Sequence, residues 1–107
     1  MKLATEGAVV QFVWEFVARE DKVKEFDRYY SGSGLWAELF RKNAGFRGTQ
    51  MLRDSENPRR YVTIDRWETF EAHIAMRAKF EAEYRDLDRA CEALTETERR
   101  IGVFEEE

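Results

Sequence analysis

The chain has 107 residues, which corresponds to one domain, and its formal net charge of −4 comes without a cluster of Lys and Arg. No run approaches the roughly 18 apolar residues of a membrane span, and the N-terminus lacks the apolar core of a signal peptide. The single cysteine, Cys91, has no partner for an internal disulfide. These features disfavour nucleic-acid and membrane partners and predict a cytoplasmic protein.

The first predicted strand, Ala8–Ala18, is rich in β-branched and aromatic residues and contains no Gly or Pro. Its two faces carry different apolar rows, Val9/Val13/Val17 and Phe12/Trp14/Phe16. A strand that is apolar on both faces is expected at the centre of a sheet that is covered on both sides.

Two helical segments are predicted next, over Lys22–Tyr30 and Leu35–Lys42, with Asp21 as a candidate N-cap. The intervening Ser31–Gly34 should interrupt the helix, because each glycine costs about 1 kcal/mol relative to alanine in a helix interior. Asn43–Gly45 has the composition of a helix end.

A β-hairpin is predicted from Phe46–Asp54 and Arg60–Trp67, joined by the polar turn Ser55–Arg59. The second strand alternates, with Val62 and Ile64 on one face and Tyr61, Thr63, Asp65 and Trp67 on the other.

A long helix is predicted from Phe70 to Leu94, with Thr69 as its N-cap, and Thr95–Glu98 has the spacing of a capping box for one more turn. Arg99–Glu105 is the predicted last strand. The domain is expected to span residues 8–105, with residues 1–7 and 106–107 as flexible tails.

The order β-α-β-β-α-β predicts an α+β, ferredoxin-like fold with a four-stranded antiparallel sheet, helices on one face, and the first and third strands in the centre. The opposite sheet face then exposes one of the two apolar rows of the first strand. Large exposed apolar patches on a monomer mark interfaces, so the sequence predicts a homodimer that packs sheet against sheet. We expect Phe12, Trp14 and Phe16 to form this interface, with the valine row as the alternative.

The chain resembles the antibiotic biosynthesis monooxygenase (ABM) family of dimeric α/β-barrel proteins over most of its length. The stretches that carry the resemblance are Val9–Ala18, Leu35–Phe40, Gly45–Thr49, Leu52–Asp54, Tyr61–Glu68, Leu87–Asp88, Leu94–Thr95 and Ile101–Phe104.

The resemblance implies a monooxygenase that oxidises a hydrophobic aromatic or quinol-like molecule with molecular oxygen and with no cofactor or metal. In that family the ionised phenol or anthrone of the substrate itself supplies the electrons, in a cleft between sheet and helices. The alternative is a non-catalytic ligand-binding or stress-related module of the same fold.

Haem degradation, known for relatives of this fold, is disfavoured. Those relatives use an Asn on the first strand, a Trp at the end of the third, and a His about ten residues later. Trp67 matches the Trp, but the first strand has no Asn and Arg77 stands where the His is expected.

Candidate site residues come from the last long helix and from the aromatic side chains. His73 and Arg77, at i and i+4 on one helix face, are the predicted catalytic pair, because His can act as a general base near neutral pH. The predicted ligand-binding residues are Trp36, Trp67, Phe80, Tyr84 and Glu15. Structural roles remain open for several: Trp67 as an anchor between helix and sheet, Glu15 as a solvated group, and the His73 face as an ordinary amphipathic edge.

Overall fold

The structure is a computed structural model that describes residues 7–107. Its strands are β1 (Val10–Ala18), β2 (Phe46–Arg53), β3 (Arg60–Trp67) and β4 (Thr95–Glu105). Its helices are α1 (Val23–Tyr30), α2 (Leu35–Phe40), α3 (Phe70–Lys79) and α4 (Glu81–Cys91), with a short 3-10 turn at Glu20–Lys22. The predicted N-terminal tail, apart from Gly7, lies outside the described residues.

The four strands form one antiparallel sheet in the order β2-β3-β1-β4. This arrangement confirms the predicted ferredoxin-like α+β fold, with the first and third strands in the centre. The pairing places Trp14 opposite Thr63 and Val13 opposite Ile64. Side chains that are directly opposite share one face of a sheet, so this register fixes which residues of β1 and β3 lie on the same face.

The aromatic row of β1 faces the helices. Phe12 and Phe16 are only 6% and 2% exposed. The ring of Phe16 lies 5.3 Å from that of Phe26 on α1, and the ring of Phe12 lies 5.8 Å from that of Phe70 on α3. Trp14 is on the same face. This placement corrects the prediction that Phe12, Trp14 and Phe16 form a sheet-to-sheet interface, since helices of their own chain cover them.

The break in the first helical region is confirmed. The chain leaves α1 at Ser31 and enters α2 after Gly34. A Cβ atom at Gly34 would lie 2.6 Å from the carbonyl oxygen of Arg28, so glycine allows the two helices to approach closely at the break. The predicted cap at Asp21 is wrong, because that residue lies in the 3-10 turn and α1 begins after Lys22 without a side-chain cap.

The C-terminal region differs from the prediction in two places. The long helix is divided at Phe80, whose backbone (φ −112°, ψ 33°) leaves the helical region between α3 and α4. Thr95–Glu98 belongs to β4, since this segment pairs with β1 as far as Ala18. Main-chain pairing with a central strand here overrides the local capping-box spacing. Thr69 caps α3 as predicted, accepting a hydrogen bond from the backbone N–H of Ala72.

The ordered domain extends to Glu106. Its backbone N–H donates to the carbonyl of Val9, and its carboxylate accepts hydrogen bonds from Arg66 and Gln11. These bonds attach a residue that the sequence assigned to a flexible tail. No helix within residues 7–107 is long and apolar enough to cross a membrane.

Candidate active site

A cavity lies between the helix-facing side of the sheet and the helices. The residues that line it are Trp14, Phe16, Tyr30, Trp36, Phe40, Thr49, Thr63, Asp65, Tyr84, Asp88 and Glu98. Six of the eleven are aromatic, and three carry carboxyl groups. The cavity volume is about 70 Å³, which accommodates a few water molecules and is smaller than the roughly 300–1,000 Å³ of pockets that hold drug-sized ligands.

Asp65 is the most deeply placed acid in the cavity. Its side chain points toward the helices because side chains alternate along β3, and Tyr61 and Thr63 lie on the same face. Thr49, its cross-strand partner on β2, donates a hydrogen bond of 2.6 Å from Oγ1 to Asp65 Oδ1. Burial raises the pKa of Asp65 to about 6, and the hydrogen bond from Thr49 opposes this increase. Asp65 is therefore a carboxylate with more than its usual basicity.

The other two acids, Asp88 on α4 and Glu98 on β4, are exposed residues of the cavity lining. The carboxyl group of Glu98 is nevertheless partly desolvated, which raises its pKa, and the nearby charge of Asp88 acts in the same direction. Within residues 7–107 no ion pair to Asp65, Asp88 or Glu98 is formed, and no three His, Cys, Asp or Glu side chains converge closely enough to hold a metal ion.

Trp36 and Tyr84 form part of the aromatic wall. Their rings meet edge to face at 4.9 Å. The guanidinium of Arg77 lies 4.1 Å from the centre of the Tyr84 ring, a distance at which cation–π attraction is effective. Trp36 is 92% buried, and its indole N–H lies near the side chains of Tyr30 and Cys91 without a well-aligned hydrogen bond to any described residue.

The structure separates the predicted ligand-binding residues. Trp36 and Tyr84 line the cavity, whereas Trp67 and Phe80 do not. Trp67 is completely buried, with its ring 5.5 Å from that of Phe40 and 5.2 Å from that of Phe46. It occupies the anchoring position between helix and sheet that the sequence left open as the alternative.

His73 lies one layer behind the cavity. Its ring stacks on Phe12 at 4.0 Å and meets Trp67 edge to face at 5.4 Å, and it is not part of the cavity lining. Burial, together with the positive charges of Arg77 and Arg100, lowers the pKa of His73 to about 4. His73 is consequently neutral at neutral pH and has no path to a ligand in the cavity except through its neighbours.

We expect the ring carbon-bound protons of His73 to show no titration between pH 5.5 and 8 in proton–carbon NMR spectra. The assignment is direct, because the chain has one His. In the unfolded state the same ring should titrate near 6.5. Since its folded pKa is the lower one, His73 should remove stability as pH falls from about 6.5 to 4. A ring titrating near 6.5 in the folded protein would contradict this burial.

Glu15 is on the opposite face of the sheet from the cavity. Its carboxylate is bound by the guanidinium groups of Arg60 and Arg99, and Arg60 also pairs with Asp54 at 3.0 Å. The hydrogen bonds from Arg60 and Arg99 lower the pKa of Glu15. The prediction that Glu15 is a ligand-binding residue of the cavity is therefore corrected: it is the centre of a surface ion cluster.

Sequence reasoning missed the acids of the cavity, Asp65, Asp88 and Glu98, and the hydroxyl of Thr49. A signal for Asp65 was present, because it is the one charged residue in the helix-facing row of β3. No comparable signal marked Asp88 or Glu98. Glu98 joins the cavity because β4 pairs with β1 and places it opposite Phe16, and Asp88 joins it from α4.

The fold and the cavity together define a class: a small ferredoxin-like domain with an aromatic, acid-containing cavity between sheet and helices. The sequence profile described as "antibiotic biosynthesis monooxygenase" matches residues 12–81, more than half of the chain. The chain belongs to the antibiotic biosynthesis monooxygenase family. No curated protein sequence matches it.

Solved structures agree with this assignment. A variant of SnoaB, a cofactor-independent oxygenase from Streptomyces nogalater, is 25% identical, with 91% of each chain covered and a TM-score of 0.76. A second structure of SnoaB is 23% identical, with 94% of each chain covered and a TM-score of 0.72. A protein from Shewanella oneidensis is 17% identical, with 94% of this chain and 92% of that chain covered and a TM-score of 0.70. The last two likenesses concern the fold alone.

Proposed function

We propose that the protein is a cofactor-independent monooxygenase that oxidises a hydrophobic aromatic, quinol- or anthrone-like molecule in the cavity. Family membership and the similarity to SnoaB, a cofactor-independent oxygenase, support the reaction type. The observation that carries the proposal is Asp65, a largely buried carboxylate with a raised pKa on the floor of an aromatic cavity. This is the environment in which a carboxylate acts as a general base at neutral pH.

In the proposed reaction, Asp65 removes a proton from the substrate and leaves an electron-rich anion. This anion gives an electron to O₂, and recombination of the two radicals forms a C–O bond and a peroxide, which takes back the proton. Loss of the second C–H proton with cleavage of the O–O bond gives a ketone and water. For a ring methylene the balance is CH₂ + O₂ → C=O + H₂O, with all electrons supplied by the substrate.

The predicted pair His73 and Arg77 takes supporting positions in this proposal. Arg77 contacts Tyr84, whose pKa is raised by burial and lowered in part by that guanidinium. We assign Arg77 to holding the Tyr84 ring in the cavity wall. His73 supports the same wall from behind through its stacking on Phe12.

Substrate entry requires the cavity to widen, because about 70 Å³ does not accommodate a fused aromatic system. Tyr84 and Asp88 are the wall residues that α4 contributes, and α4 begins at the break at Phe80. We propose that outward movement of α4 about this break admits the substrate.

An oxygen electrode tests the function. The protein, free of added metal and flavin, is incubated with 1,8-dihydroxyanthrone and with naphthoquinols, and oxygen uptake is compared with that of heat-denatured protein. The proposal expects protein-dependent uptake of one O₂ per ketone formed, unaffected by EDTA. Binding without uptake across the panel would instead support the non-catalytic ligand-binding module.

We further propose that the functional unit is a homodimer that packs through the helix-free sheet face. Val13, Val62 and Ile64 lie in its centre, and Leu52 and Phe104 on the flanking strands are 45% and 51% exposed. An apolar patch of this kind on an antiparallel sheet is stabilised when a second copy covers it. The ion cluster around Glu15 borders the patch.

Replacing Val13 with Glu should convert the dimer into a monomer near 12.8 kDa in light scattering at micromolar concentration. A charge in the centre of an apolar interface loses its water without gaining a partner. The control is Ile74→Glu, on the outer surface of α3 and 52% exposed, which should remain dimeric. Unchanged dimerisation of Val13→Glu would place the interface elsewhere.

A further inference from the structure

We infer that the cavity selects aromatic ligands by charge, and that its substrate enters neutral or cationic and carries no permanent negative group. This inference rests on the proposed use of the cavity for a small aromatic molecule. It adds the charge class of that molecule. The aromatic wall alone does not settle that class, since flat aromatic surfaces accept neutral and charged rings alike.

The charged residues of the cavity lining are all acidic. Asp65, Asp88 and Glu98 contribute three carboxyl groups, and none of the described residues that line the cavity is basic. The ion pairs of the described chain lie elsewhere, so these three acids are not neutralised by a neighbouring Lys or Arg. The guanidinium of Arg77 lies 4.1 Å from the centre of the Tyr84 ring and is not part of the cavity lining.

The carboxylates of the cavity also favour ligands that donate hydrogen bonds. Asp65 Oδ1 accepts from Thr49, and its second oxygen has no partner within residues 7–107. Carboxylates accept hydrogen bonds and do not donate them, so a phenolic hydroxyl or an ammonium group satisfies them while a ligand carboxylate does not. The aromatic residues around these acids add cation–π attraction for an ammonium group.

The proposed chemistry is compatible with this selection. When Asp65 takes a proton from a neutral phenol, one negative charge moves from the protein to the substrate, and the net charge of the cavity is unchanged. A ligand that arrives as a carboxylate would instead add a fourth negative charge to the three present. A phenolate that forms inside the cavity is therefore compatible with the charge of the cavity, whereas a ligand that must enter as an anion is not.

The test is isothermal titration calorimetry with three naphthalenes of one shape: 1-naphthylmethylamine, 1-naphthalenemethanol and 1-naphthaleneacetate, at pH 7.5. We expect affinity to fall in that order, with about tenfold or more between the cation and the anion at 20 mM salt and a smaller ratio at 300 mM. Equal affinities, tightest binding of the anion, or no binding by any of the three would overturn the inference.

Neutral variants of the same shape test whether the cavity acids cause the preference for cationic ligands. The double variant Asp88→Asn, Glu98→Gln should reduce the cation-to-anion ratio to about threefold or less, with an unchanged far-UV circular dichroism spectrum. Glu92→Gln, which removes an exposed carboxylate outside the cavity lining, should retain the wild-type ratio. A double variant that keeps the wild-type ratio would overturn the assignment to these acids.

The result is separable from the outcome of the oxygen-uptake test. Charge-ordered binding without oxygen uptake would retain the ligand class and reject the monooxygenase. Oxygen uptake with a carboxylate-bearing anthrone, at a KM equal to that of its methyl ester, would retain the monooxygenase and reject the charge selection.

Discussion

Replacing Asp65 with Asn should reduce kcat/KM for oxygen-dependent oxidation by about 10²–10⁴-fold, the usual contribution of a positioned general base. Asn has nearly the same shape as Asp, and its carbonyl oxygen can still accept the hydrogen bond from Thr49. The variant should therefore bind a neutral aromatic ligand but fail to deprotonate it. Oxygen uptake and calorimetric binding, measured on the same preparation, separate these two effects. Activity within about threefold of wild type would remove Asp65 from the proposed role.

The wild-type pH profile should follow the same group. A base acts when it is deprotonated, so kcat/KM should rise through about pH 6 and reach a plateau above pH 7. The other titratable residues that the described part of the chain contributes to the cavity lining are Tyr30, Tyr84, Asp88 and Glu98, and none of these is cationic. Thr49→Val removes the hydrogen bond that lowers the pKa of Asp65, so the midpoint of the profile should move to higher pH.

As pH rises toward 6, the stability of the folded protein should fall while its activity rises. The pKa of Asp65 is about 6 in the folded state and 3.8 in the reference state, so the folded protein binds more protons between these values. This group therefore removes stability as pH rises from about 4 to 6. Asp65→Asn eliminates the cost of the buried charge and should stabilise the protein at pH 7 by about 1–3 kcal/mol. A destabilised Asn variant would contradict this account.

Replacing Trp67 with Ala should cost about 3–5 kcal/mol in the free energy of unfolding, because it deletes a completely buried indole and leaves a cavity. The ring contacts Phe40, Phe46 and His73, which come from α2, β2 and α3. Its removal loosens three elements at one point. Urea denaturation at fixed protein concentration, followed by circular dichroism, measures the loss.

Two matched variants make this prediction specific. Trp67→Phe keeps most of the buried ring and removes an indole N–H that has no hydrogen-bond partner within residues 7–107, so it should cost clearly less than Ala. Ile74→Ala removes a large apolar side chain that is 52% exposed and should change stability by no more than about 0.5 kcal/mol. A Trp67→Ala variant as stable as Ile74→Ala would refute the anchoring role.

The residues of β3 show what the periodicity of a strand can and cannot predict. Alternation placed Tyr61, Thr63, Asp65 and Trp67 on one face, and the structure agrees. Alternation does not state how deeply each side chain is buried. Trp67 is enclosed by α2, β2 and α3, and Asp65 borders a cavity, because of packing between segments that are distant in the chain.

The two carboxylates of the central strands illustrate the same limit. Glu15 and Asp65 each interrupt an apolar or aromatic row, and the sequence analysis placed Glu15 among the candidate ligand-binding residues. The structure assigns them opposite environments: Glu15 is paired with two arginines and has a lowered pKa, while Asp65 is buried beside Thr49 and has a raised one. The difference arises from which sheet face the helices cover.

The sequence by itself determined the order of elements, the ferredoxin-like topology with β1 and β3 in the centre, and the break between α1 and α2. These properties follow from local periodicity, glycine and chain order, and they do not depend on distant contacts. Tertiary structure alone decided that the aromatic row of β1 faces inward, that His73 lies behind the cavity wall, and that Asp65, Asp88 and Glu98 line one cavity. The physical reason is that an alternating strand defines two faces, and only the packing of helices from elsewhere in the chain determines which face is buried.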